Sequence, residues 1–137
     1  LRLETYPYLE TGGSARMYFD QFLISNLVQK HQANLVFSST GFGTYFCPCP
    51  QVLLVRNPVY FSKEFHTRYK ELGRSLRRNT QRRWLSLFSI RRSELVLFPT
   101  RAMQEMVAPY IDLNGQKARA IHYGFDHDAF SQGSSDK

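Results

Sequence analysis

Acidic side chains are scarce in this sequence: 11 Asp and Glu stand against 18 Lys and Arg, a formal net charge of +7 at pH 7. Cysteine is scarcer, with two residues, in Cys47-Pro48-Cys49-Pro50. One residue between them and no nearby Cys/His pair exclude a local tetrahedral zinc site, so the segment reads as a proline-stiffened loop with two ordinary thiols. No apolar run approaches the roughly 20 residues that span a bilayer. The start, Leu1-Arg2-Leu3-Glu4, has neither an initiator Met nor an apolar signal region, which fits a piece of a longer protein. No Gly-x-Gly-x-x-Gly or Walker-type loop occurs, so a complete nucleotide pocket of either kind is not expected. A nucleophile elbow with Ser, His and acid is missing, as is His-Glu-x-x-His. His31, His66, His122 and His127 lie apart, except that the last two flank Asp126 and Asp128. That cluster lacks metal-ligand spacing and reads as a polar loop. No metal or cofactor is expected.

What is present describes a globular α/β chain. Its 137 residues, 42% hydrophobic and 15% aromatic, suit one domain with a real core. Ser14 to His31 reads as a helix, with Ser14 capping it after Gly12-Gly13. Phe19, Phe22, Leu23 and Leu27 form its buried face. Asn34-Leu35-Val36-Phe37-Ser38 and Val52-Leu53-Leu54-Val55 are continuous apolar runs, as in central strands covered on both faces. The second stops where Pro58 ends the ladder. A helical stretch follows from Ser62 to Ile90, broken near Gly73 or Asn79-Thr80. It places Phe65, Tyr69, Leu72 and Leu76 on one face, and Arg74, Arg77, Arg78 and Arg82 on the other. Leu95-Val96-Leu97-Phe98 is a third strand, ending at Pro99. Thr100 then caps a helix from Arg101 to Tyr110 with Met103, Met106 and Val107 inward. Ala118 to His122 is a last strand, closed by Tyr123-Gly124-Phe125-Asp126. Strands separated by helices indicate a parallel sheet with right-handed crossovers. The fold class is therefore α/β: a Rossmann-like, three-layer α/β/α domain over residues 1–130, with a polar linker at 131–137.

In open parallel sheets ligands bind outside the carboxyl ends of the strands. That rule selects four loops: Ser39 to Gly43 with Gly41 and Gly43, Arg56 and Asn57, Pro99 to Arg101 with Thr100 and Arg101, and Tyr123 to Asp126. The glycines admit close backbone approach, while the Arg and Asn side chains suit sugar hydroxyls or phosphate. Turn geometry alone also favours Gly, Asn and Thr at such positions. The charge is uneven as well. Between Arg68 and Arg92, Arg68, Lys70, Arg74, Arg77, Arg78, Arg82, Arg83, Arg91 and Arg92 are set against one acid, Glu71.

Three segments together resemble a known family. Ser93-Glu94-Leu95-Val96-Leu97-Phe98-Pro99-Thr100-Arg101-Ala102-Met103 is similar to the "alanine-aspartate, apolar run, proline-serine" segment of family 4 type glycosyltransferases. Lys117 to Ile121, followed by Tyr123-Gly124-Phe125-Asp126-His127-Asp128-Ala129-Phe130, resembles their "strand, Asn-Gly-Val-Asp, then Phe" hinge. Gln51-Val52-Leu53-Leu54-Val55-Arg56-Asn57-Pro58 resembles their strand ending in His-Asn-Pro. The three occur in the family's order and cover roughly Ser14 to Phe130. The resemblance implies a GT-B architecture of two Rossmann-like domains facing a cleft, this chain supplying the later part of the amino-terminal, acceptor-side domain. It implies a nucleotide-sugar donor held mainly by a missing carboxyl-terminal domain, a glycan or lipid-linked acceptor, and a hinge at Gly124 and Asp126. Arg56 stands where the family often has His, Thr100 where it has Ser, and Tyr123 where it has Asn. No catalytic residue is carried over, and the segment alone is expected to be inactive.

Two further readings of the charge stay open beside the hexosyltransferase-like one. Arg74, Arg77, Arg78, Arg82 and Arg83, interleaved with Trp84, Leu85, Leu87 and Phe88, suit contact with anionic lipid in a cytoplasmic protein peripheral to a membrane. The same basic helix allows a nucleic-acid-binding module without catalysis, although no helix-turn-helix, RNP or zinc-finger pattern supports specific nucleic-acid recognition. A non-catalytic docking domain that keeps the fold is a third.

Overall fold

The computed structural model describes residues 19–71, 76–113 and 117–121. A π-helical turn, Phe19–Leu23, runs into α1, Ile24–Lys30. Four strands follow: β1 (Val36–Ser38), β2 (Gln51–Leu54), β3 (Leu95–Phe98) and β4 (Lys117–Ala120). They form one sheet in the order β1-β2-β3-β4, every neighbouring pair parallel. Between β2 and β3 lie a 3-10 turn, Pro58–Tyr60, then α2 (Lys63–Glu71) and α3 (Arg77–Arg92); α4 (Arg101–Val107) links β3 to β4. Among the described residues the protein is therefore a mixed α/β chain with a four-stranded parallel sheet and four α-helices, consistent with a Rossmann-like fold.

Local chemistry accounts for most element boundaries. Ser62 Oγ accepts the Phe65 N–H at 3.1 Å and starts α2. Thr100 Oγ1 accepts the Met103 N–H at 3.1 Å and caps α4, as its place after Pro99 requires. Asn79-Thr80 lie inside α3 and do not break the helical stretch, while Gly73 lies outside the described residues.

Consecutive parallel strands joined by right-handed crossovers place their connections on one side of the sheet. The core sits on that side. Leu53, Val55, Val96, Phe98 and Ala118 from the strands meet Leu87 and Ile90 of α3 and Met103 and Val107 of α4. Each fully buried Ile or Phe there stabilises the fold by about 1.5–3 kcal/mol. The alternate positions differ. Phe37 is 56% exposed and Val52, Leu95 and Leu97 are half-buried, while Leu54 on the same face is buried.

Two expectations change here. β1 is an end strand of the sheet among the described residues, not a central one, and Leu35 and Phe37 face outward. A continuous apolar run does not reveal which of its faces is covered. In the first helix, Phe22 is exposed and Val28 is the buried residue. At about 100° per residue Phe22 lies about 120° round the helix from Val28, in one exposed stripe with Asn26 and Gln29. Ser14, Gly12-Gly13, Leu72, the 123–126 segment and the 131–137 tail lie outside the described residues.

Candidate functional site

The parallel order carries the carboxyl ends of the strands to one edge of the sheet. The ladder continues past the strands themselves. The Val55 N–H donates to Leu97 O at 2.9 Å, and the Ile121 N–H to Phe98 O at 2.7 Å. This register sets Arg56–Asn57, Thr100–Arg101 and Ile121 side by side on one rim. Arg56 is exposed and makes no ion pair among the described residues. Asn57 is partly committed: its Oδ1 accepts the Val59 N–H at 3.1 Å and starts the Pro58–Tyr60 turn. Its amide N–H groups remain to donate outward. Thr100 spends its hydroxyl oxygen on the α4 cap, and Arg101 is exposed on the first turn of that helix. The rim thus presents two guanidinium groups and an amide, all donors, suited to hydroxyls, phosphates or carboxylates.

The two glycines serve different ends. Gly41 has φ +81°, a conformation that side-chain-bearing residues rarely adopt, and it turns the chain just beyond β1. Gly43 lies further round, against Gln51 at the opposite end of β2. A Cβ on Gly43 would stand 2.4 Å from Gln51 Nε2. Gln51 Oε1 accepts the Thr44 N–H at 2.8 Å, its Nε2 donates to Ser93 Oγ at 3.1 Å, and Ser93 Oγ donates to Ser89 O at 2.8 Å. Gly43 therefore makes room for a buried polar link between loop, sheet and α3, away from the strand-end rim.

A second cluster escaped sequence reasoning. His66 of α2 hydrogen-bonds the backbone of Val59, while its Nε2 is buried without a hydrogen-bond partner among the described residues. Burial, and secondarily the nearby Arg83 charge, lower its pKa below the ordinary 6.5. Arg83 in turn lays its guanidinium over the Tyr110 ring, 4.8 Å from the centroid. A lone His in an amphipathic helix carries no sequence signal for this; only the packing of α2 beside α3 makes it. Because the folded pKa is depressed, His66 supports full stability above about pH 6.5, and that support declines as pH falls through the folded value. Urea unfolding at about pH 7.5 and about pH 5 should therefore show a larger acid loss for the native chain than for His66→Gln. Equal losses would remove His66 as the cause.

The remaining expected site residues separate. Arg77, Arg78 and Arg82 are exposed on α3, whereas Arg83 is half-buried and turned inward with Leu87 and Ile90, which recur at i+4 and i+7. Arg74, Gly124 and Asp126 lie outside the described residues. Cys47 and Cys49 bring their Sγ atoms to 3.8 Å as two free thiols. Burial, then the bond to Cys47, raises the Cys49 pKa, which disfavours a reactive thiolate. Among the described residues no group of three His, Cys, Asp or Glu is placed to hold a metal ion, and no helix is long and apolar enough to cross a membrane. No protein-family profile, curated protein or solved structure matches the chain.

Proposed function

We propose that this chain is the acceptor-side part of a GT-B glycosyltransferase, its donor nucleotide-sugar being held mainly by a second Rossmann-like domain. The observation that carries the reading is the strand-end rim. A parallel sheet delivers Arg56, Asn57 and Arg101 to the edge where such sheets take ligands, and every free group there is a hydrogen-bond donor. The described parts of the three motif resemblances lie on the end of β2, the β3–α4 turn and β4, while Tyr123 to Phe130 lies outside the described residues. In this reading Arg56 and the Asn57 amide orient a hydroxyl-rich or phosphate-bearing acceptor by donated hydrogen bonds, without themselves moving a proton. The three-layer packing belongs to the same proposal, because the half-covered sheet face with Phe37 and Leu97 would need a further layer. No catalytic residue is assigned.

The test is turnover by the complete reading frame with a panel of nucleotide-sugars, read as nucleoside diphosphate release. Arg56→Ala is expected to lower kcat/KM by about tenfold to a hundredfold, the cost of a misplaced acceptor. Asn57→Asp keeps the acceptor for the Val59 N–H while removing the amide donors, so it should lose activity without losing fold. Lys30→Ala, exposed on α1, should leave activity unchanged. Absence of release with every donor overturns the transferase reading. Turnover that neither rim variant affects would move the acceptor away from this rim.

A further inference from the structure

We propose that the outward face of α3 is a docking surface for an anionic lipid bilayer, independently of the transferase reading. The sequence Arg77-Arg78-Asn79-Thr80-Gln81-Arg82-Arg83-Trp84-Leu85-Ser86-Leu87-Phe88-Ser89-Ile90-Arg91-Arg92 contains no acid. Its inner face is settled by packing: Ser86, Leu87, Ser89 and Ile90 are buried, and Arg83 lies over Tyr110. The outer face is a different stripe. Arg77, Gln81, Trp84, Phe88 and Arg91 recur at i, i+4, i+7, i+11 and i+14, which brings them to one side of the helix. Two large aromatics in that stripe stand in water, Trp84 at 63% and Phe88 at 43% exposure. Arg92 holds its guanidinium 5.6 Å from the Phe88 ring centroid. Arg78 and Arg82 flank the stripe, exposed.

Beside this stripe lies an open apolar groove of about 730 Å³ lined by Tyr45, Trp84, Leu85, Leu87, Phe88 and Tyr110. The Tyr45 ring meets Phe88 edge-on at 4.7 Å, and burial raises the Tyr45 pKa, so the phenol stays neutral. Apolar floor, aromatic rim and cationic ends together match one environment, the headgroup boundary of a negatively charged bilayer. Aromatic rings partition into that boundary, and each nearby arginine adds attraction to lipid phosphate. At about 1.5 Å per residue, α3 is long enough to lie along the surface with arginines at both ends. Charge complementarity selects lipid over the alternatives. A second copy would set one arginine-rich face against another, which repels. Duplex DNA would meet the charges but offers no apolar interior for Trp84 and Phe88 to enter. The set expected from sequence is accordingly revised: Arg83 and Leu87 face inward, Arg91 and Arg92 join the contact face, and Trp84 and Phe88 keep their place on it.

Trp84 is the sole tryptophan of the chain, so its fluorescence reports this face directly. The full chain is mixed with phosphatidylcholine vesicles, with or without about a third phosphatidylglycerol. The expected result is a blue shift of Trp84 emission and quenching by brominated acyl chains with anionic vesicles only, weakening as salt is raised. In co-sedimentation, Phe88→Ser and the pair Arg91→Gln with Arg92→Gln should each lower binding roughly tenfold, while Trp84→Phe retains it. The wild-type fluorescence requires no variant to fold. Emission unchanged by anionic vesicles overturns the proposal, as does an equal shift with neutral ones. Emission already blue-shifted without lipid and dependent on protein concentration would assign the face to self-association instead. Stronger shielding of Trp84 from acrylamide by duplex DNA than by vesicles would assign it to nucleic acid.

Discussion

Phe98→Ala is expected to destabilise the chain by about 3–5 kcal/mol, whereas Phe37→Ala should cost less than about 1 kcal/mol. Both are phenylalanines in strands of one sheet, and sequence patterning treats them alike. Phe98 is fully buried and Phe37 is 56% exposed. Phe98 points to the side on which α3 and α4 pack, in one cluster with Leu53, Val55, Ile90, Met103 and Val107. Removing its ring deletes the transfer free energy of the buried atoms. It also leaves a cavity between sheet and helices that cannot fully collapse, because Ile90 and Val107 are held by their own helices. A domain of this size has on the order of 5–15 kcal/mol in total, so the Phe98 variant should be near or beyond its unfolding midpoint at modest urea. Phe37 occupies the opposite face of an end strand, with little to lose among the described contacts. Urea midpoints for the two variants decide the point. Similar losses for both would mean that the Phe37 face is as closely packed as the Phe98 face, and the one-sided core would be wrong.

The contrast also shows what sequence reasoning can reach. β3 and α4 were legible because their signals are local: an apolar run of strand length, Pro99 to stop it, and Thr100 to cap the next helix. The parallel order was legible because helices between strands leave few other topologies. What failed depended on partners distant in the chain. The inward turn of Arg83 follows from Tyr110 lying beneath it, and the depressed His66 pKa from the placement of α2 beside α3. The buried side of the first helix, Val28 inside and Phe22 outside, is set by what packs on it, which has no composition signature. At the rim, Arg56, Asn57, Thr100 and Arg101 were found by a topological rule. Nothing in their residue types distinguishes the donors that face a ligand from the hydroxyl that caps a helix. Gly43 was selected by the same rule and serves packing.

Gly43→Ala is the second large effect, expected at about 2–4 kcal/mol, and the reason lies in Gln51 rather than in the glycine's own backbone. Only Gly41 takes a positive φ among the described glycines, so Gly43 has an ordinary conformation that alanine can adopt. The added Cβ would meet Gln51 Nε2 at 2.4 Å and its Cδ at 2.9 Å. Gln51 is 2% exposed, so the amide cannot swing into solvent. It must give up the Thr44 N–H, the Ser93 hydroxyl, or both, leaving buried polar groups at about 1–3 kcal/mol each. Gln51→Ala removes the obstacle and the two bonds together. In that background Gly43→Ala should cost only about 0.5 kcal/mol or less, a coupling that a double-mutant cycle measures directly. Costs that add across the two sites would show that alanine at Gly43 disturbs something other than Gln51. Strong coupling would establish the link through Thr44, Gln51, Ser93 and Ser89 as the joint holding the β1–β2 loop to α3. Tyr45, the next residue along that loop, lines the apolar groove beside Phe88, so loosening the joint should also reshape the face proposed to meet lipid.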